Sequence, residues 1–416
     1  MSRNRIRTWI VVLIVGMLCI HGVLFWKARV LVRQGYPDFT IFYTAGKMLR
    51  EGLGHSLYDG ALQYEVQQTF AAGVRIRKGP LPYNHPPFEA LIFEPLASLD
   101  YPTAYLVWSV INLGILGFLP FLLRRYIPVL ARYPLFVWLL ALLGFFPVFV
   151  ALLQGQNVIL LLLLNALAFA ALKRNADTLA GCWLGLSVFK FQLILPLVLI
   201  LLCWKRSRVV QSFMVTAAVM AAISVAITGW AGALRYPWYV LHFEKFMERG
   251  GIAVDMPNLR GLLEGWSFSG FPGSHAITVA LSLALLVWVS VKGRGRTHST
   301  QRFDLTFDPL EFDLQFSVAM VAAVLASYHA FPYDLSLLVI PVLLVVNYAM
   351  ETATLQRYRN WVLMLPMGLL FLTPVYMLLW IRLDHFNLFA TVLLLWTWGI
   401  VREISSRFDL PETQRP

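Results

Sequence analysis

Charged residues are scarce in this chain, and their scarcity decides the class of protein. Only 13% of the 416 residues are Asp, Glu, Lys or Arg, whereas 59% are hydrophobic and the mean hydropathy is +0.68. One soluble core of this size cannot enclose so much apolar surface. The composition therefore excludes an ordinary soluble domain and predicts a polytopic protein of the lipid bilayer.

Cysteine and ligand clusters are also lacking. Each of the three cysteines lies within an apolar stretch: Cys19, Cys182 and Cys203. This excludes a disulfide framework and a thiolate metal site. The eight histidines are scattered without ligand spacing on one helix, so we expect no metal and no other cofactor. Asp38 with Asp59 or Glu89 provides a weaker alternative, a site for a divalent cation.

A basic patch is missing as well, although the net charge is +12. The Lys and Arg residues are spread over short segments between the apolar runs, without the interleaved aromatic residues of a nucleic-acid surface. The tendency of basic loops to stay in the cytoplasm accounts for the same charge. We therefore expect no nucleic-acid partner.

Long uncharged runs are abundant, and each is about as long as, or longer than, a helix that crosses roughly 30 Å of hydrocarbon. These runs are Trp9–Trp26, Thr103–Leu123, Tyr133–Leu172, Val209–Leu234, Ser274–Val291, Trp361–Ile381 and Phe386–Val401. They lack the alternation of barrel strands, and in lipid only helices or closed barrels satisfy the backbone. The predicted fold is an all-α helical bundle whose first run is retained as a membrane span.

Two long stretches contain a polar break and should each form two spans. Tyr133–Leu172 is interrupted by Gln154-Gly155-Gln156-Asn157, and Leu314–Met350 is interrupted by Tyr328 to Asp334. Polar residues of this kind in an apolar run are typical of turns between helices.

The stretch Thr178–Trp204 is ambiguous. Its 27 residues suit one long tilted helix better than two full spans. However, the groups of Lys and Arg between the runs can all face the cytoplasm only if this stretch turns back near Lys190. We therefore predict a pair of short or broken helices here. The whole chain then has about 12 crossings with both ends inside.

This topology gives two outer loops, residues 31–100 and 235–272, within one membrane domain spanning residues 1–416. In the first loop, Phe39, Phe42, Ala45, Met48 and Leu49 recur at helical spacing. The pattern predicts an amphipathic helix on the membrane surface that Gly52 and Gly54 can end. Asp38 lies at the start of this helix. From its position alone, it could equally be a simple helix cap or a functional carboxylate.

The polar residues that interrupt apolar runs fall mostly on the same outer face. Polar groups at membrane depth are costly and tend to mark function, so an active site opening outward is expected. The set consists of Asp38, residues 154–157, Lys190, the loop 235–272, His329, Asp334, Arg382, Asp384 and His385.

Several motifs resemble glycosyltransferase family 87, the polyprenyl-phosphate-mannose-dependent mannosyltransferases. They are Asp38-Phe39 with Tyr43 and Ala45, Gly54 through Leu57-Tyr58-Asp59, Tyr83-Asn84-His85-Pro86-Pro87, Glu94-Pro95-Leu96, Gly155-Gln156-Asn157, Gly181 with Gly185 and Lys190, Asn258 with Gly261, and residues 327–333. The chain departs from the family at His85, where an aromatic residue such as Tyr is frequent, and at Tyr328, where Pro is common.

The resemblance implies a GT-C fold in the plasma (inner) membrane and an acidic catalytic base in the first outer loop, a position that Asp38 matches. It implies transfer of a hexose, mannose first, from a polyprenyl phosphate to a hydroxyl of a lipid or glycan acceptor with inversion. Two readings compete with it: an arabinosyl or glucosyl transferase using the same lipid carrier, and a lipid or solute transporter. The absence of paired halves disfavours a transporter.

A departing lipid phosphate needs cationic or N–H donors. Lys190 and Arg260 are the candidates, against the alternatives of a snorkelling lysine and a solvated loop arginine. The further candidates for substrate binding, each of which could instead be structural, are Tyr83, His85, Gln156, Asn157, Asn258, His329 and Tyr333.

Overall fold

A computed structural model describes residues 3–74, 81–242, 252–265, 273–293, 309–352 and 357–408. Within these ranges the regular structure is entirely helical, which confirms the all-α class. Parts of both predicted outer loops, residues 75–80, 243–251 and 266–272, lie outside the described residues.

Eighteen α-helices are present in the described ranges. They are α1 (Arg3–Arg33), α2 (Phe39–Arg50), α3 (Gly60–Ala71), α4 (Ala90–Phe93), α5 (Tyr101–Leu123), α6 (Leu135–Leu143), α7 (Phe146–Gln154), α8 (Val158–Lys173), α9 (Asp177–Leu186), α10 (Phe191–Cys203), α11 (Ser207–His242), α12 (Leu259–Leu263), α13 (Ser274–Lys292), α14 (Pro309–Ala326), α15 (Val339–Glu351), α16 (Arg357–Phe371), α17 (Thr373–Met377) and α18 (Phe389–Phe408).

Shorter helical turns connect them. The 3₁₀ turns are Gly54–Ser56, Pro87–Glu89, Leu96–Ser98, Pro128–Arg132, Ser187–Lys190, Ile252–Asp255, Pro332–Leu338 and Phe386–Leu388, and Leu378–Arg382 is a π-helical turn. Both predicted polar breaks are confirmed. One separates α7 from α8 and the other separates α14 from α15.

The predicted reversal near Lys190 is also confirmed, by the position of its ends. By length and composition Asp177–Cys203 would qualify as one span of 27 residues. A straight helix of that length would place its ends about 40 Å apart. Instead, Arg206 Nη1 lies 2.9 Å from Asp177 Oδ1. The turn Ser187–Lys190 therefore reverses the chain between α9 and α10.

Close packing of α9 on α11 supports this hairpin. A Cβ atom on Gly181 would lie 2.2 Å from the carbonyl oxygen of Val209, and one on Gly185 would lie 2.5 Å from Thr216 Cβ. Two glycines four residues apart let helix backbones approach closely in a membrane. Since the contacts advance in step along both helices, α9 and α11 run parallel. Helix α10, which connects them in the chain, must therefore run back in the opposite direction.

The number of helical segments follows from this geometry. By length and composition eight helices in the described ranges could cross a membrane, or up to ten if each of two bent pairs is one span. The shorter helix Val158–Lys173 adds one more, and the two arms of the hairpin replace the single stretch Asp177–Cys203. The described chain thus has twelve apolar segments, but only eight to ten of them qualify as spans by length and composition, so the number of about 12 crossings stays a prediction. Two of these segments are short.

Two apolar helix pairs are sharply bent, and α1 packs against both bends. The α6–α7 pair bends by 74° and the α16–α17 pair by 71°. His21 of α1 places Nδ1 3.0 Å from the carbonyl oxygen of Leu143 and Nε2 2.8 Å from Thr373 Oγ1. Its ring stacks on Phe149 at 4.3 Å. Broken helices persist in membranes where neighbours satisfy the freed backbone groups, as His21 does here.

The first loop forms a small core of its own around α2. This helix begins and ends where the sequence predicted, but Phe39, Phe42, Ala45 and Met48 are all fully buried by protein. The expectation that this face lies on the membrane surface is therefore wrong. Aromatic rings of the same loop cover it, and Phe93 stacks on Phe42 at 4.8 Å.

The loop is attached to the bundle at a kink in α11. Gly229 interrupts this helix with a φ of 70°, a conformation that favours glycine. The backbone of Gly54 packs closely against Ile227, and the backbone N–H of Phe88 donates to Ser224 Oγ at 3.3 Å. These contacts fix the loop at the end of the bundle that carries the polar turns.

Candidate active site

Asp38 does not serve as a helix cap. Its backbone is helical, with φ −61° and ψ −17°, and its side chain makes no capping hydrogen bond to α2. Asp38 Oδ2 instead accepts a hydrogen bond of 2.7 Å from Gln156 Nε2, and its backbone N–H donates to Gln154 Oε1 at 3.1 Å. The capping alternative is thus wrong, and the carboxylate is half-buried beside the turn between α7 and α8.

A glycine allows this turn to come so close. Gly155 ends α7 with φ 61°, and a Cβ atom there would lie 2.7 Å from Phe39 Cβ. Trp108 Nε1 donates to the Gly155 carbonyl oxygen at 3.0 Å. Gln156 and Asn157 are 2% and 1% exposed, so their amides are fixed inside the protein.

A buried carboxylate, Glu89, lies on the other side of the turn. It is fully buried, accepts a hydrogen bond from Asn157 Nδ2, and lies 2.9 Å from His85 Nδ1. From the sequence alone, Glu89 is only a weak candidate for a metal ligand. Its position two residues after Pro86-Pro87 is the signal that could have linked it to the motif.

The two candidates for substrate binding in this motif, Tyr83 and His85, differ in how far a ligand could reach their side chains. The Tyr83 ring is fully buried, and its hydroxyl donates to the Pro86 carbonyl oxygen at 2.8 Å. Burial, and secondly the charge of Glu89, raise the pKa of the Tyr83 phenol well above its usual range. Its ring therefore has no exposed face for stacking on a sugar. The His85 side chain is 14% exposed and packs edge-on against Phe42 at 5.1 Å.

Lys190 is a buried ion-pair partner. Its Nζ lies 2.6 Å from Asp334 Oδ1, and the two side chains are only 3% and 2% exposed. The snorkelling alternative is wrong, because the ammonium points into the bundle. Nζ also lies 4.8 Å from the centre of the Tyr333 ring, and Asp334 Oδ2 accepts from the Phe331 N–H at 2.9 Å.

The Lys190 group and Asp38 belong to one region. The turn Pro332–Leu338, which carries Tyr333 and Asp334, packs against α7 and α8, whose connecting turn holds Asp38. The negative charge of Asp38 also acts electrostatically on Tyr333. The structure therefore brings together Asp38, Gln156, Tyr333 and Lys190.

Arg260 is buried as well, so the solvated-loop alternative is wrong. It is 3% exposed, and its Nε lies 3.2 and 3.1 Å from the two carboxylate oxygens of Glu264. Its guanidinium carbon lies 4.1 Å from the centre of the Tyr328 ring, and Glu264 also pairs with His275 Nδ1 at 3.1 Å.

Asn258 has a structural role in this segment. Its Oδ1 accepts from the Gly261 N–H at 2.8 Å and caps α12, while Nδ2 donates to the Ser327 carbonyl oxygen at 2.9 Å. His329 is half-buried and packs edge-on against Phe331 at 4.7 Å. The α12 segment is thus tied to the same 327–334 stretch that carries Tyr333.

The last polar residues of the predicted face are exposed: Arg382, Asp384 and His385. Asn387, which follows them, donates a hydrogen bond to the Gly261 carbonyl oxygen at 3.0 Å. Across the described residues, no three His, Cys, Asp or Glu side chains come together as metal ligands. The polar side chains described on this face are carboxylates, amides and cations, and the cations Lys190 and Arg260 are held in ion pairs.

Comparison with protein families identifies the activity of the chain. The profile of glycosyltransferase family 87 matches residues 83–307, more than half of the 416 residues. The chain belongs to glycosyltransferase family 87. It is a membrane glycosyltransferase, which therefore has a sugar donor and an acceptor as partners. Neither a curated protein nor a solved structure matches the chain significantly.

The family match covers one part of the site directly. Glu89, Asn157, Lys190 and Arg260 lie inside the matched residues, whereas Asp38 precedes them. The hydrogen bond between Gln156 and Asp38 joins the two parts.

Proposed function

We propose that this glycosyltransferase moves a hexose, mannose first, from a polyprenyl phosphate to a hydroxyl of a lipid or glycan acceptor. The reaction takes place on the extracytoplasmic face of the plasma membrane, in a GT-C-type bundle. The observation that carries the proposal is the Asp38 carboxylate, which is half-buried and held by Gln156 instead of capping its own helix.

In the proposed reaction, Asp38 accepts the proton of the acceptor hydroxyl as its oxygen forms a bond to the anomeric carbon. The bond between that carbon and the phosphate oxygen breaks, and the polyprenyl phosphate leaves with the bonding electrons. Inversion requires the base and the leaving group on opposite faces of the sugar. Gln156 orients the carboxylate through its 2.7 Å hydrogen bond.

Lys190 and Arg260 are proposed to contact the donor phosphate. Phosphate leaves without protonation if donors meet its growing charge. An ammonium has three donors, and Asp334 accepts from Lys190 at 2.6 Å, so a phosphate oxygen can join the pair. Arg260 pairs with Glu264 in the same manner. Each carboxylate keeps its cation neutralised inside the bundle until the donor binds.

The proposal is tested by incubating the purified protein with radiolabelled polyprenyl-phosphate mannose, glucose or arabinose and cell-envelope lipid. We expect label to move from the mannose donor, with inverted anomeric configuration in the product. Transfer from the glucose or arabinose donor alone would show that the assignment of mannose is wrong and would leave the assigned reaction type in place. No transfer from any of the three would reject the proposal.

Orientation is tested separately from chemistry. In intact cells, an impermeant thiol reagent should label cysteines placed on the site face. Labelling restricted to the opposite face would overturn the extracytoplasmic site without affecting the assigned reaction.

A further inference from the structure

The fully buried carboxylate of Glu89 has no part in the reaction proposed above. Removing a carboxylate from water is costly unless partners compensate. Its partners are Asn157 Nδ2, His85 Nδ1 at 2.9 Å and the Tyr83 hydroxyl at 3.4 Å. Two of these partners connect Glu89 to the rest of the site. Asn157 connects it to the turn beside Asp38, and His85 connects it to the partly exposed edge of the loop.

Through Asn157, Glu89 acts on the turn that holds the base. Asn157 directly follows Gln156, and Gln156 Nε2 donates to Asp38. A change in the position of Asn157 therefore moves the hydrogen-bond donor of Asp38. Misplacement of a catalytic group by about 1 Å can cost about 100-fold in rate.

Through His85, Glu89 fixes an imidazole at the edge of the site. The ring lies between Phe42, at 5.1 Å, and Tyr83, at 5.7 Å. Nδ1 is the ring nitrogen that faces the Glu89 carboxylate, so Nε2 is the one that can form a hydrogen bond to a ligand. Within the described part of the chain Nε2 makes no hydrogen bond, and the side chain is 14% exposed.

We propose that Glu89 is a positioning residue that fixes the Gln156–Asn157 turn and presents His85 Nε2 to a hydroxyl of the bound sugar or acceptor. A histidine oriented by a carboxylate through one nitrogen is an established arrangement for using the other. This role rests on the proposed transfer reaction, since His85 needs a hydroxyl-bearing ligand to act on.

The first test is a spectroscopic readout that needs no turnover. Purified protein labelled with ¹⁵N-histidine is compared with Glu89→Gln, and the His85 resonances are assigned by their loss in His85→Asn. We expect the Nδ1 resonance of His85 to move in Glu89→Gln. The matched control is Glu94→Gln, since Glu94 is a partly exposed acid in the same loop that pairs with Arg50. This control should leave the resonance in place.

The second test is transfer from polyprenyl-phosphate [¹⁴C]mannose, or from whichever donor in the panel the wild type uses. Loss of a residue that orients a reacting side chain lowers activity by about 10- to 100-fold. We expect Glu89→Gln to lower kcat by this factor, with little change in donor KM and with a near wild-type unfolding midpoint. The double variant with His85→Asn should lose less than the product of the two single losses.

The outcomes separate the two proposals. An unchanged His85 resonance, or full kcat in Glu89→Gln, overturns the positioning role while the transfer reaction stands. A wild type that transfers none of the sugars overturns the transfer reaction, and the positioning role is rejected with it. If Glu89→Gln does not fold, Glu89→Asp keeps the charge, shortens the side chain by one methylene and should show the same loss of kcat.

Discussion

Lys190 allows packing and phosphate binding to be measured separately. Lys190→Met keeps most of the apolar stem but leaves the Asp334 carboxylate, which is 2% exposed, without its ammonium partner. Removing one member of a buried pair costs about 3–5 kcal/mol because the other charge stays uncompensated. We therefore expect a loss of this size in the free energy of unfolding, measured by denaturant titration in mixed micelles.

The double variant Lys190→Met with Asp334→Asn removes both charges. Asparagine can still accept the 2.9 Å hydrogen bond from the Phe331 N–H through its carbonyl oxygen. We expect most of the lost stability to return, since a neutralised pair is often no less stable than the original. A hydrogen bond to a charged group contributes about 1.5–3 kcal/mol. If Lys190 binds the donor phosphate, kcat/KM for the donor should therefore stay about 10- to 100-fold low in the stable double variant.

Lys173 provides the matched control. It pairs with Asp313 at 2.5 Å, and the two side chains are 11% and 1% exposed, but the pair lies between the C-terminus of α8 and the N-terminus of α14. Lys173→Met should destabilise the protein and leave donor kinetics unchanged. If the Lys190→Met, Asp334→Asn enzyme recovers wild-type donor kinetics together with its stability, Lys190 is a structural residue and the phosphate assignment is refuted.

Three further predictions follow from the geometry. Asp38→Asn should keep the fold and lower transfer about 100- to 10,000-fold if Asp38 is the base, and near wild-type transfer would contradict that role. His21→Ala leaves the buried Thr373 hydroxyl and the part-buried Leu143 carbonyl without this partner and should cost about 1–3 kcal/mol in the free energy of unfolding, whereas His385→Ala, at an exposed site, should be neutral. In a cysteine-free background, an impermeant reagent should label Ser98→Cys from outside the cell but not Arg208→Cys, and the reverse result would invert the topology.

The sequence predicted the elements of this bundle wherever one local signal dominated. Polar residues inside apolar runs predicted both turns, and the bias of basic residues predicted the reversal that the Arg206–Asp177 ion pair now closes. Periodicity also predicted α2. It could not show what covers the apolar face of this helix, because spacing reports that a face is buried and not which neighbour buries it.

The pairing of charges could not be predicted in the same way. Lys190 and Asp334 are separated by 144 residues, and no local pattern connects them. For Arg260 the sequence left a solvated loop arginine open as the alternative to a phosphate contact, since its burial depends on Tyr328 of a distant segment. Glu89 looks like a solitary acid in sequence. Its importance appears only when α8 and the motif around His85 meet around it.

Two carboxylates therefore lie on either side of the turn between α7 and α8, and they differ in burial. Glu89 is fully buried and cannot reach a substrate, whereas Asp38 is half-buried and can. Consecutive amides connect them, since Asn157 donates to Glu89 and Gln156 donates to Asp38. The turn can lie this close because residue 155 is a glycine. There is no room for a Cβ atom between it and Phe39, the residue after Asp38. Any side chain at position 155 would push apart Asp38, the proposed base, and the turn that orients it.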